Sequence, residues 1–344
     1  MKDTYGYGPL SYELIELFRS GKPDFAAAED LIIRGADVND QGNDKTENVL
    51  SEILYGYWQS GTEDGTQEEC YCCESSSDRC RTCAHNSNPE PGIAMLSIIS
   101  FFLSHGFDVN KKNGLHGAQC LFALTLSSFD RHMIYAIKML LDAGAKNLRV
   151  GDNSGDTPMS FVSMEGSYQG VCEGNHYAGN IYEAAYRVYE AAEKGMPYAG
   201  IDSFEAAIGE KIIAVKAVHQ KPESIFFSVD MPESKHDNCF TQRLYFYLEN
   251  GKYLVYTDKA SCWVDNTYPG APLVDISSHF PGLIGSTLKD ITFSHRSVIK
   301  GTTHYGQPIT TFSMSSGAEI NFTINFGEVE KSEYCAYYYY GKES

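Results

Sequence analysis

Two periodicities divide the chain. Through roughly the first two hundred residues, apolar positions recur every three to four residues, the spacing of helices that bury one face. The helical stretches come in pairs. SYELIELFRSG (11–21), ENVLSEILYGYW (47–58) and GAQCLFALTLSS (117–128) are each followed by an apolar phrase that halts at a glycine. Those phrases are LIIRGADVND, ending at Asp40, FFLSHGFDVNKKN, ending at Asn113, and MLLDAGAKNLRV, ending at Val150. The stops are Gly35, Gly106 and Gly144, and glycine suits a helix end because it enters the left-handed conformation without a Cβ clash. A fourth unit is predicted to end at YEAAYRVYEAAEKG, with Gly195 as its stop.

After GMPYAGIDS (195–203) the period shortens to two. KIIAVKAV, SIFFSV, RLYFYLENGKYLVYT, KDITFSHRSVI, PITTFSMSSGAEINFTI and YCAYYYY all read as strands. Two hairpins are predicted, one turning at Asn250-Gly251 and the other at Ser316-Gly317. They belong to a larger echo. AIGEKIIAV (207–215) precedes the first hairpin and LIGSTLKDI (283–291) precedes the second. Residues 203–344 therefore read as a β-rich domain of two similar units, forming a small antiparallel sheet or a half-open barrel.

The helical half resembles the ankyrin-repeat family. GADVN (35–39) and GFDVN (106–110) are similar to its end-of-repeat phrase. DNSGDTPMS (152–160) is similar to its opening, and NGLHGA (113–118) is a degraded opening that keeps Leu115 and His116. The resemblance implies a multidomain chain: an α-helical solenoid of about four repeats over residues 1–200, then the mainly antiparallel β domain. It also implies a structural, hydrogen-bonding role for His116. Gly35 and Gly106 lie 71 residues apart and Gly106 and Gly144 lie 38 apart, against a family period of about 33. The excess is a Cys-rich insertion over 59–90. A second insertion, SYQGVCEGNHYAGN, is expected over 167–180. Both fall between the two helices of a repeat, on one edge of a stack. The C-terminal domain resembles small bacterial domains of unknown function, some of them immunity-type proteins that neutralise toxins.

The first insertion holds five of the chain's ten cysteines. Cys70/Cys73 and Cys80/Cys83 are two C-x2-C pairs, a spacing at which four thiolates close a tetrahedral zinc site, with Cys72 and His85 as spare ligands. A polar loop with hardly any apolar content cannot fold by burial, and a metal ion would supply what a core does not. Reduced thiols and disulfides are the alternatives. A zinc ion with four protein ligands is expected to be structural, since no position stays open for substrate.

The net charge is −18, with 45 acidic against 27 basic residues. Such a chain is repelled by phosphate backbones, so nucleic acid is not an expected partner and a protein with a basic surface is. The start, MKDTYGYGPLSYELIELF, has no basic region leading into an apolar run, and IAMLSIISFFL is too short to span a bilayer, which needs about 18 residues. A cytoplasmic protein without a membrane partner is the expectation, and the sequon Asn321-Phe322-Thr323 then reads as strand. No catalytic set stands out. Cys262 with Asp265, His279 or His295 has the residue types of a thiol nucleophile but no supporting spacing. GTTHYG (301–306) does not open a helix and so is no phosphate loop. His219, His236 and His304 are scattered, and the Tyr337–Tyr340 run suits either a sheet or an interaction patch. The chain therefore reads as a protein-interaction module and not as an enzyme, and the resemblance of its C-terminal domain implies an inhibitor or immunity type. The alternative is a small-ligand binder or enzyme with its site in the β domain.

Overall fold

The computed structural model describes residues 6–19, 23–43, 47–60, 90–111, 121, 131–146, 148, 155–167, 176–218, 243–257, 261–267, 273–280, 282–295, 308–326 and 334–339. Two compact units emerge. One takes the described residues up to Glu165 together with Ala185–Met196; the other takes those within Gly166–Ala184 and from Pro197 onward.

The helices are α1 (Pro9–Arg19), α2 (Phe25–Ile33), α3 (Val49–Ser60), α4 (Glu90–Ser104), α5 (Arg131–Asp142), α6 (Pro158–Ser167) and α7 (His176–Glu193). In the first unit α1 packs on α2 and α3, and α4 packs on α3 and α5. Leu14, Ile15, Phe18, Ile53, Ile98, Phe102, Ile134 and Ile137 are fully buried between them. Helix α7 begins at His176, so residues 176–180 of the span expected as a second insertion, 167–180, are helical. The polar run HYAGN gave no apolar stripe to read, yet Ala178 and Asn180 are buried.

The four glycine stops share one geometry. Gly35, Gly106, Gly144 and Gly195 have φ of 106°, 79°, 93° and 65°. In each, the glycine N–H returns to the carbonyl three residues back, and the next N–H to the carbonyl five back, as in Gly35 N to Ile32 O and Ala36 N to Leu31 O, both 2.9 Å.

Successive turns are joined side by side. Asn39 donates from Nδ2 to the Gly106 carbonyl at 3.0 Å and accepts the Asp108 N–H on Oδ1 at 2.7 Å. Asn110 repeats both bonds one turn on, to the Gly144 carbonyl at 3.0 Å and from the Lys146 N–H at 2.8 Å. The first turn has no preceding asparagine. Its Asp37 N–H instead donates to Ser11 Oγ at 3.2 Å. The equivalent Ser51 hydroxyl is fully buried and unpartnered, the Asp108 N–H being already held by Asn39.

The second unit holds β1 (Asp202–Ser203), β2 (Ile212–Val218), β3 (Arg243–Leu248), β4 (Tyr253–Thr257), β5 (Cys262–Asp265), β6 (Leu273–Asp275), β7 (Leu288–His295), β8 (Pro308–Met314), β9 (Glu319–Phe326) and β10 (Tyr334–Tyr339). They form two antiparallel sheets, where one small antiparallel sheet or a half-open barrel was expected. One has the order β1-β5-β4-β3-β2-β6 and the other β10-β9-β8-β7, with a bridge at Lys211 and Thr287. Both hairpins turn where expected, with Gly251 and Gly317 each at φ 83°.

The echo has a bonded geometry. Gly209 N donates to Leu288 O and Gly285 N to Ile212 O, both at 2.8 Å. Ile212 N donates to Ser286 O at 3.0 Å and Leu288 N to Glu210 O at 2.8 Å. Each bond of one unit thus has its counterpart in the other, and each unit bulges at the same step, Ile212/Ala214 and Leu288/Asp290. One core lies inside both sheets. Phe246 and Phe312 sit 5.2 Å apart between ring centroids, and Tyr256 and Phe322 4.8 Å apart. The spans GTTHYG and SIFFSV lie outside the described residues.

Candidate interaction surface

The second helices of the first three pairs, α2, α4 and α5, converge on an open hollow of about 470 Å³. It is lined by Phe25, Leu96, Phe101 and Met139, with Ser97, Ser100 and Ser104 among them. The local sequence explains its character. From Pro91 to Ser104, α4 carries no charged residue. Its outward side is Ile93, which is 53 % exposed, followed by exposed serines. Two of those serines turn inward on their own helix, Ser97 donating to the Ile93 carbonyl at 3.0 Å and Ser104 to the Phe101 carbonyl at 2.7 Å. With their donors used, the hydroxyls present less polarity to anything arriving from outside.

Acidic side chains on α2 flank the hollow. Asp24 caps α2, accepting the N–H groups of Ala26 and Ala27 at 3.1 and 3.0 Å beside Phe25. Glu29, half exposed, reaches His105 Nε2 at 2.8 Å, and that imidazole packs against Phe101 at a tilt of 41° with centroids 4.3 Å apart. Elsewhere in the helical unit acid and base are knitted together. Arg19 bridges Glu16 and Glu52, and Arg34 bonds Asp30 at 3.2 Å. The contrast marks the α4 face as the uncharged part of an acidic surface.

In the β unit, Cys262 is fully buried, and burial pushes its thiol well above the usual range. Its backbone N–H donates to Asn180 Oδ1 at 2.6 Å. A nucleophile must be thiolate and reachable, and this side chain is neither. Asp265 is engaged locally, accepting from Thr267 N and Oγ1 at 2.8 Å. The side chains of His279 and His295 lie outside the described residues, as do those of Tyr337–Tyr340. Cys70, Cys72, Cys73, Cys80, Cys83 and His85 also lie outside them, as does His116. Among the described residues, no group of three or more His, Cys, Asp or Glu side chains could hold a metal ion. No described helix is long and apolar enough to cross a membrane.

The hollow escaped the sequence because it combines faces of three helices far apart in the chain. A signal existed in the uncharged run PGIAMLSIISFFLS. The opening phrase was also underread. GPLS (8–11) and NVLS (48–51) stand where NGLH and TPMS stand in the later units, and Asn48 accepts the Ser51 N–H at 2.9 Å much as Thr157 accepts the Ser160 N–H at 3.0 Å.

No family model matches the chain, and no curated protein matches it. Among solved structures, the chain is similar to the crystal structure of an ankyrin repeat protein. The two are 21 % identical, over 53 % of this chain and 82 % of that one, with a TM-score of 0.26. A likeness at that score is a weak one.

Proposed function

We propose that the protein is a non-enzymatic protein-interaction module whose helical unit is an ankyrin-like stack of about four hairpins. The observation that supports this reading is the turn ladder. Asn39 and Asn110 make the same pair of bonds to successive turns, which holds the second helices in register and aligns their exposed faces. The partner is a protein that inserts apolar side chains between Phe25, Leu96, Phe101 and Met139 and sets basic residues against Asp24 and Glu29. The net charge of −18 favours such a partner over distance. An inhibitor or immunity-type role fits these features. On this reading, Cys70, Cys73, Cys80 and Cys83 hold a structural zinc ion in the insertion between α3 and α4.

The test replaces Ser97 and Ser100, both exposed on α4, with arginine in the whole chain. A protein retained stoichiometrically by the wild type should be lost from Ser97→Arg/Ser100→Arg while far-ultraviolet circular dichroism stays the same. Equal retention by both would remove this face from the account.

A further inference from the structure

The exposed positions of α4 form one stripe. Between Gly92 and Ser104 they are Ile93, Ser97, Ser100 and Ser104, and every other described side chain there is buried or half-buried. Successive members lie four, three and four residues apart, the seam spacing of one helix laid along another. A solvated helix face ordinarily carries charge. On α1 the exposed row is Pro9, Glu13 and Glu16, with two carboxylates. On α4 the corresponding row is one isoleucine and three serines, and no charge.

Three features favour a helix over an extended segment as the occupant of this face. Helix axes pack about 8–10 Å apart, and the closer approaches need small side chains at the contact; the three serines supply them. The larger apolar side chains of the hollow come from three helices, Phe25 from α2, Leu96 and Phe101 from α4, and Met139 from α5. They are what the apolar side of an incoming helix would meet. An extended segment gains affinity by bonding to an open strand edge, and a helix offers none, its main-chain groups being bonded within it. Charge sets the remaining side. Asp24 uses Oδ1 alone for its cap, which leaves Oδ2 for an incoming cation, and Glu29 is half exposed. On α5, Lys138 lies over the Tyr135 ring of its own helix, 5.7 Å from the centroid.

We infer that the partner docks an amphipathic α-helix along α4. Its apolar side chains, at heptad spacing, lie over Ile93, Ser97, Ser100 and Ser104, and its lysines or arginines face α2. This rests on the helical face being the docking surface, as proposed above, and adds the shape and charge of what docks there. The stripe runs about 16 Å at 1.5 Å per residue, so the partner helix contributes about three turns.

The test titrates the whole chain into two fluorescent peptides of equal length and equal leucine and lysine content. One spaces its leucines three and four residues apart, as a helix requires; the other alternates leucine and lysine, as a strand requires. Anisotropy should show the helical peptide bound at least about tenfold more tightly, the equal composition cancelling the pull of the net charge. Ser100→Phe adds apolar area but fills the place where the incoming backbone comes closest, so it should weaken the helical peptide about tenfold. Ser97→Phe should do the same, and far-ultraviolet circular dichroism checks that both variants fold. Equal affinity for the two peptides, binding of neither, or tighter binding to the phenylalanine variants would overturn the inference. The two readings fail differently. If Ser97→Arg/Ser100→Arg loses a captured protein while the peptides bind equally, the face stands and its helical occupant falls. If that variant retains the protein, the face falls and the occupant with it.

Discussion

Ser11 and Ser51 occupy the same place in two hairpins and do opposite things. Ser11 holds the Asp37 N–H, while the buried Ser51 hydroxyl has no partner. A bonded hydroxyl contributes about 1 kcal/mol, and a buried unbonded one is a desolvation loss of about 1–3 kcal/mol. Ser11→Ala should therefore lower stability by about 1 kcal/mol, and Ser51→Ala should leave it unchanged or raise it, as read from urea denaturation of each variant. Cys262 supports a second expectation at this scale. A fully buried thiol with its pKa pushed up should resist alkylation by iodoacetamide at pH 8 in the native protein and react once the chain is unfolded in urea. Mass-spectrometric mapping of labelled cysteines reads both states.

Among the elements, α7 carries one pH dependence. Burial raises the Glu190 carboxyl, but hydrogen bonds from Lys194 and Arg187 outweigh it and hold the group below its usual value of 4.5. A carboxylate depressed in the folded state stabilises above its unfolded pKa, and the contribution fades as pH falls through the folded one. Glu190→Gln should therefore be less stable than wild type at pH 7, with the gap closing as the pH falls below 4.5 and through the lowered folded value. Thermal melts across that range measure it. Legibility from sequence also divides at this scale. The glycine stops and the two hairpin turns could be read because each is a local backbone demand met by one residue type. The IG phrases could be read as an echo, but not as partners, since their mutual bonds join strands far apart in the chain. The start of α7 was missed because its polar residues are buried by Asn180 bonding to β5, a tertiary reason with no periodic trace. The hollow was missed for a similar reason: α2, α4 and α5 each supply only a few of its residues.

For the whole molecule, two proposals of different chemistry make up the functional reading. The Cys-rich insertion is tested by elemental analysis of protein purified under reducing conditions, where about one zinc per chain is expected from two C-x2-C pairs. Clearly less, with no other metal, would end the zinc proposal without touching the helical face. The helical face is tested most directly by its footprint. Once a partner is captured, hydrogen exchange in the reconstituted complex should show protection concentrated in Phe25–Ile33, Glu90–Ser104 and Arg131–Asp142, with strengthened binding at low salt. Failure of any protein to form a stoichiometric complex, or a complex that leaves those three helices unprotected, would contradict the account.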